Sequence, residues 1–335
     1  MIEAWPPVAW RDYWHVAIGS GGLSRAPVSA RVLDVDLVLF RDGTGRASAL
    51  RDRCPHRGAP LSKGCVRAGE LRCPYHGWRF DSGGACTRIP SLRPDQRIPE
   101  GVSVARFPCV ERDGRVWVHL GDAPDTEPPR VPQFLGERWV QGQVDLGCSA
   151  SAALENFLDT SHTAFLHRFS HPEHLWRVLR GLRDKAYELR PEGDGFVSFS
   201  PPTASAEDPR PARPAGIATY RPPFGASLAF NLPWQRHRGF FEYVPTGDHR
   251  CRLHWMRSRF TPRPWARRVT WRRHNRVVDE DAALLAALGR VHREDGRAFE
   301  RSVEADGVTL WARAFIDALG GPTPRKQRRV VRFRG

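Results

Sequence analysis

The 335-residue sequence predicts an α+β protein in two parts: an N-terminal all-β domain, then a domain built from an antiparallel sheet with helices packed on it. Three observations predict this. Short apolar runs alternate with turn dipeptides over the first third of the chain. A stretch rich in proline and acidic residues, GDAPDTEPPRVPQ at 121–133, comes next. Beyond it, segments with apolar residues at helical spacing enclose strand-like runs. The expected boundaries are a first domain at 1–122, a linker at 123–134 and a second domain at 135–335.

The elements follow in order. VDLVLFR at 35–41 is a strand, RDGTGR at 41–46 a hairpin turn centred on Asp42-Gly43, and ASALRDR the returning strand. RVWVHL at 115–120 is another strand, entered through Arg112-Asp113-Gly114. Residues 150–168 carry a helical pattern. Strand-like runs GASLAFNLPW, GFFEYVPTGDHR and CRLHWMRSRF lie within 216–260. Residues 264–288 read as helix, and 297–318 as a last one. Residues 189–216, with many prolines and Glu192-Gly193-Asp194-Gly195, are expected to form a long flexible loop.

Bulk properties narrow the function. Hydrophobic residues make up 40% of the chain, enough for a substantial core. No apolar run approaches the roughly 20 residues of a membrane helix, and the N-terminus lacks the pattern of a signal peptide. The expectation is a cytoplasmic protein with no membrane partner. Seven cysteines fit free thiols and metal ligands better than a disulfide framework. The formal net charge is +15, carried almost wholly by arginine and densest in the tail RKQRRVVRFRG. Without zinc-finger spacing or a helix-turn-helix signature, the charge reads as a solvated surface or an attraction for an acidic partner protein. No nucleic acid is expected.

Chemistry enters at Cys54-Pro55-His56-Arg57-Gly58 and Cys73-Pro74-Tyr75-His76-Gly77-Trp78, a C-x-H and a C-x-x-H separated by 16 residues. Two thiolates and two imidazoles suit zinc or a two-iron, two-sulfur cluster of the Rieske type. Proline after each cysteine, and glycine at or just past each histidine, shape tight turns whose N–H groups can point at sulfide. That favours the cluster, as does the lack of a C-x-x-C arm. Residues 54–78 resemble the Rieske domain of bacterial ring-hydroxylating and demethylating oxygenases. Respiratory Rieske proteins add a disulfide-forming cysteine to each loop; the equivalent places here are Ala59 and Tyr75.

The second constellation is Asn156, Asp159, His162 and His167. Two histidines five apart differ by about 140° on an ideal helix, so one ion could join them only across a helix end or a π-bulge. The spacing N-x-x-D-x-x-H-x-x-x-x-H, however, resembles the catalytic domain of the same Rieske oxygenases. The resemblance implies a helix-grip-like fold and a 2-His-1-carboxylate triad on mononuclear iron(II), from His162, His167 and a later aspartate at the start of a late helix. Asp281 of Asp279-Glu280-Asp281 is the choice and Asp279 the reserve. The resemblance further implies that Asp159, one helical turn before His162, orients that ligand and meets His76 of a neighbouring subunit in a homotrimer. It implies electrons from NAD(P)H through a separate reductase, with or without a ferredoxin. These would pass by way of His76, Asp159 and His162 to iron and O₂ for hydroxylation, demethylation or dihydroxylation, monooxygenation being favoured. An electron-transfer or redox-sensing protein without oxygenase activity is the alternative.

Tyr220, Phe224, Phe230, Leu232, Trp234, Phe240, Phe241, Tyr243 and Trp255 are candidates for the lining of a pocket for an apolar or aromatic substrate, or for plain core. His171, His174, His237, His249 and His254 read as surface or supporting residues. Cys65, Cys86, Cys109, Cys148 and Cys251 read as inert buried thiols.

Overall fold

The computed structural model describes all residues except 1–5, 123, 132–138, 160, 168–178, 180–183, 201–215, 233–234, 259–263, 322–323, 325–326 and 335. The chain divides into two compact units, Met1–Gln133 and Phe134–Gly335.

Eleven strands make up the first unit among its described residues: β1 (Trp14–Gly19), β2 (Val28–Val32), β3 (Val35–Arg41), β4 (Ala47–Arg51), β5 (Cys65–Arg67), β6 (Glu70–Arg72), β7 (Arg79–Phe80), β8 (Cys86–Arg88), β9 (Arg106–Phe107), β10 (Cys109–Arg112) and β11 (Arg115–His119). They form antiparallel sheets in the orders β1-β11-β10, β2-β3-β4-β9 and β5-β6-β7-β8. The hairpin from β3 to β4 is looser than an Asp-Gly turn. Asp42 Oδ1 accepts from the N–H groups of Thr44 and Arg46 at 2.8 and 3.0 Å, and Gly45, not Gly43, takes the positive φ. Asp113-Gly114, both at positive φ, makes the tight turn from β10 to β11.

The proline-rich stretch is strapped to this unit. Thr126 O accepts from Trp14 Nε1 at 2.8 Å, Pro128 O from Arg112 Nη1 at 2.8 Å, and Val131 N–H donates to Asp113 Oδ2 at 2.7 Å. Val38, Phe40, Leu50, Leu61, Leu71, Phe80 and Val104 form a core that includes Cys54 and Cys73.

The second unit is one antiparallel sheet and its helices. Among the described residues its strands are β12 (Trp139–Leu146), β13 (Asp184–Glu192), β14 (Gly195–Ser200), β15 (Gly216–Arg221), β16 (Gly225–Leu232), β17 (Gln235–Gly247), β18 (Arg250–Ser258) and β19 (Arg329–Arg334), in the order β12-β18-β17-β16-β15-β14-β13-β19. Among the described residues its helices are α1 (Ala150–Leu158), α2 (Thr163–Leu166), α3 (Pro264–Asp295) and α4 (Gly307–Asp317).

Two expectations need correction, and the basic tail takes a defined place. Residues 189–200 are not loop: β13 and β14 pair through Glu192↔Gly195, with Gly193 at positive φ in the turn. The prolines that suggested a loop lie mostly in 201–215, outside the described residues. The basic tail is part of the fold. It enters the sheet as β19, with Val331 fully buried and Tyr187↔Val331 in register. Residues 150–168 are not one helix. Ser149 Oγ caps α1 by accepting from Ala152 N–H at 3.3 Å, and the chain leaves the helix at Asp159 (φ −71°, ψ 122°) before α2 begins.

Phe196 and Tyr220 of the sheet pack on Trp311 and Phe315 of α4. Phe157 of α1 packs on Phe241 and Tyr243. Trp255 is paired with Phe241 and shares its face of the sheet. The long α3 approaches the turn between β12 and α1 through glycine. A Cβ on Gly289 would stand 1.9 Å from Gly147 O. This approach holds the C-terminal part of α3 beside the turn that leads into α1.

Candidate metal centres

In the first unit, two loops of one local design present the four cysteine and histidine residues. Cys54 N–H donates to Ala59 O at 2.9 Å, and Gly58 N–H returns to Cys54 O at 2.9 Å. Cys73 N–H donates to Trp78 O at 2.8 Å, and Gly77 N–H returns to Cys73 O at 3.2 Å. Gly58 and Gly77 close the loops at φ +74° and +71°, where a side chain would be strained. Cys54 and Cys73 are buried, His56 is half-buried and His76 exposed. The two imidazoles lie 4.5 Å apart between centroids, and Trp78 stacks on His56 at 4.6 Å. Burial pushes the Cys54 thiol up to about 11, the adjoining Cys73 thiol adds to the rise, and the N–H groups of His56 and Arg57 pull against it.

These residues fit a two-iron, two-sulfur cluster. The thiols adjoin, N–H donors point at sulfur, and His56 Nδ1 is buried without a hydrogen-bond partner. Ligation takes the thiolate, and a bound cluster would supply the positive charge that offsets the burial of the Cys54 sulfur. All seven cysteines are free. Cys148 and Cys251 are fully buried, but Cys65, Cys86 and Cys109 are only half-buried, so the expectation of five buried thiols holds for two.

In the second unit, His162, His167 and Asp281 come together, with one donor atom from each lying within 4.8 Å of the others. His167 Nε2 is 3.3 Å and His162 Nε2 3.7 Å from Asp281 Oδ1. The broken helix makes this possible. His162 precedes the single turn of α2 and His167 ends it, so both rings turn to one side, 5.2 Å apart. Asp281 sits in the middle of α3 rather than at the start of a helix, and Asp279 is exposed. Asn156 Nδ2 donates to Asp281 Oδ1 at 3.1 Å.

Asp159 is not one turn along a helix from His162, because the chain is already extended there. Its Oδ1 accepts from Ser161 N–H and Oγ, both at 2.7 Å, and its Oδ2 lies 3.5 Å from His162 Nδ1 without making a hydrogen bond. Burial opposes its charge, but the His162 ring and the Ser161 hydrogen bonds hold it below the usual carboxylate range. The donor set of two imidazole nitrogens and one carboxylate oxygen, half-buried, fits a mononuclear ferrous ion with positions left open.

Glu280 was legible only as a neighbour of Asp281. Its Oε2 lies 2.9 Å from His167 Nδ1, a contact that no sequence spacing signals. Of the pocket candidates, Phe241, Tyr243 and Trp255 share the face that receives α1. Phe240 faces the other way and packs on Trp139. Tyr220 is core, its hydroxyl donating to Pro223 O at 3.1 Å, and Phe224 is buried. Trp234 and the side chains of Phe230, Leu232 and His237 lie outside the described residues, as do His171 and His174. His254 is buried, on the opposite face of the sheet from Trp255, and His249 sits beside Asp248.

Comparison with known proteins identifies two domains. Residues 13–108 match the Rieske [2Fe-2S] domain, and residues 146–320 match the vanillate O-demethylase oxygenase C-terminal domain. The oxygenase component of dicamba O-demethylase from Stenotrophomonas maltophilia is 37% identical over 163 residues, covering 47% of this chain and 48% of the relative. Methylxanthine N1-demethylase NdmA from Pseudomonas putida is 37% identical over 167 residues, covering 47% of each. These alignments span about half the length of the curated relatives. Among solved structures, NdmA of Pseudomonas putida CBB5 superposes with a TM-score of 0.74 at 25% identity, covering 92% of this chain and 90% of that one. Dicamba monooxygenase bound to 3,6-dichlorosalicylic acid reaches 0.76 at 25% identity, covering 92% and 97%. Two domain matches in the order the motifs require, the second spanning half of the chain, place this protein in the family of Rieske non-heme iron oxygenases with a vanillate O-demethylase-type C-terminal domain.

Proposed function

We propose that the chain is the terminal oxygenase of a multicomponent system that uses O₂ and reductase-delivered electrons to hydroxylate or oxidatively demethylate an apolar or aromatic small molecule. Residues 1–122 serve as the cluster domain, 123–134 as the linker and 135–335 as the iron domain. The observation that carries the proposal is the convergence of His162 Nε2, His167 Nε2 and Asp281 Oδ1 in a chain that also holds a separate two-cysteine, two-histidine set.

Cys54, His56, Cys73 and His76 hold the cluster; His162, His167 and Asp281 hold iron. When bound, the cluster supplies single electrons and the ferrous ion supplies reductive activation of O₂. Everything else is the work of the protein's side chains. Asn156 fixes the Asp281 carboxylate through Oδ1. Asp159, held by Ser161, presents its other oxygen to the His162 ring. Phe157, Phe241, Tyr243 and Trp255 supply an apolar wall that excludes water and suits an apolar or aromatic substrate. His76, exposed at its loop tip, is available to Asp159 of a second copy, and a head-to-tail homotrimer would pair them. The methoxylated and N-methylated compounds implied by the names dicamba O-demethylase and methylxanthine N1-demethylase are the first substrates to try.

Metal analysis and turnover test the proposal together. The purified enzyme should hold about three irons per chain, two from the cluster and one from the triad. Asp281→Ala should lose about one of them, keep the cluster's visible spectrum and abolish O₂-dependent product formation from a methoxylated or N-methylated panel. Two irons in the wild type, with no product formed from any compound of the panel, would instead identify an electron carrier, and turnover that survives Asp281→Ala would overturn the triad.

A further inference from the structure

The two histidines of the triad are held alike and supported unequally. Each turns Nε2 toward Asp281 and Nδ1 toward a second carboxylate: Asp159 for His162, Glu280 for His167. The Asp159 contact is long, at 3.5 Å, and makes no hydrogen bond, whereas Glu280 Oε2 lies 2.9 Å from His167 Nδ1. His167 is also the more deeply buried ring, at 3% exposure. Water cannot readily take over the role of its partner.

Adjacent residues of α3 thus straddle one imidazole, Asp281 at Nε2 and Glu280 at Nδ1. The second carboxylate oxygen of Glu280 is engaged as well, because Arg276, one turn earlier on α3, donates from Nε to Oε1 at 3.2 Å. An imidazole that gives its Nδ1–H to a carboxylate is fixed in the tautomer with its Nε2 lone pair free. Arg276 and His167 thus engage the two oxygens of the Glu280 carboxylate from either side.

We infer that Glu280 is a positioning residue of the iron centre, which sets the tautomer and orientation of His167 and is itself anchored by Arg276. The inference rests on the reading of His167 and Asp281 as iron ligands. Its test uses the full-length, cluster-loaded protein with the mononuclear site emptied by a chelator and titrated anaerobically with ferrous ion. Glu280→Ala should weaken ferrous binding about 10- to 100-fold, the usual loss on removing such a partner. Glu280→Gln keeps an acceptor but no charge and should lose less. Arg276→Ala, which leaves the Glu280 contact in place, should lose least.

The nitric oxide complex of the ferrous site should change its EPR rhombicity in Glu280→Gln, a response that a merely structural role would not produce. An intact cluster spectrum shows that each variant is folded. If Glu280→Ala and Glu280→Gln both bind ferrous ion within about twofold of wild type while Asp281→Ala does not, Glu280 has no such role. If Asp281→Ala also binds like wild type, the ligand reading falls and the inference with it.

Discussion

The two candidate metal centres are assembled in opposite ways. The first takes all four residues from positions 54–76, on two loops that repeat one hydrogen-bonding scheme, each closed by a glycine at positive φ. The second takes two residues from a helix broken at Asp159 and a third from the middle of α3, more than a hundred positions later. The first is therefore a local structure and the second a consequence of packing. A local site tolerates distant change and is sensitive to its own turns. A packed site depends on every contact that sets how its elements lie.

The strongest way to break this comparison is at Gly289. A Cβ there would overlap Gly147 O and stand 3.0 Å from Cys148 Cα, so α3 would have to move off the turn that leads into α1. Gly289→Ala should destabilise the second unit by about 3 kcal/mol and lower iron occupancy, because Asp281 shifts with the helix. The cluster should be untouched. Denaturation and metal analysis check both, and a cluster spectrum lost along with the iron would show that the centres are not assembled independently.

Acid separates the regions next. Burial lowers His15 to about 4, despite its hydrogen bond with Trp10 O at 2.8 Å. The unfolded chain therefore takes up the proton at a higher pH than the folded one. The stability of the first unit should be complete above about pH 6.5 and fall as pH drops toward 4, by on the order of 3 kcal/mol. In His15→Gln that slope should flatten, while the acid response of the second unit stays as in wild type. Chemical denaturation at pH 7 and pH 5 measures it, and an unchanged slope would assign the acid response to other groups.

The smallest effect belongs to Gly58. Space around it is open, so Gly58→Ala meets no atom and bears only the strain of a positive φ, about 1–2 kcal/mol. It should shift the cluster's potential or acid lability and leave ferrous binding unchanged. An effect on the ferrous site instead would contradict the local character of the first centre.

Much of this was legible in the sequence. The cluster loops could be read because their ligands, prolines and glycines lie within one short segment, where spacing translates directly into geometry. β3, β4 and β11 could be read from apolar runs and Asp-Gly turns. His162 and His167 could be found by resemblance, and their spacing already demanded a helix end between them. Harder to read were residues whose meaning depends on a distant partner. The strand-forming valines of the tail were masked by arginines, and β13 and β14 by prolines nearby. Glu280 and Asp281 are neighbours in an acidic run that any helix could carry on its solvated face.

By itself, then, the sequence determined the order of the two parts and singled out the four candidate cluster residues and the two histidines of the second candidate centre. Only tertiary structure decided that Asp281 faces those histidines while Asp279 faces solvent, that Glu280 reaches the far side of His167, and that the tail closes a sheet. The reason is physical. Local hydrogen bonds and turn conformations are set by residues a few positions apart. The rotation of a helix about its axis is set by what it packs against, here the contact of Gly289 with Gly147.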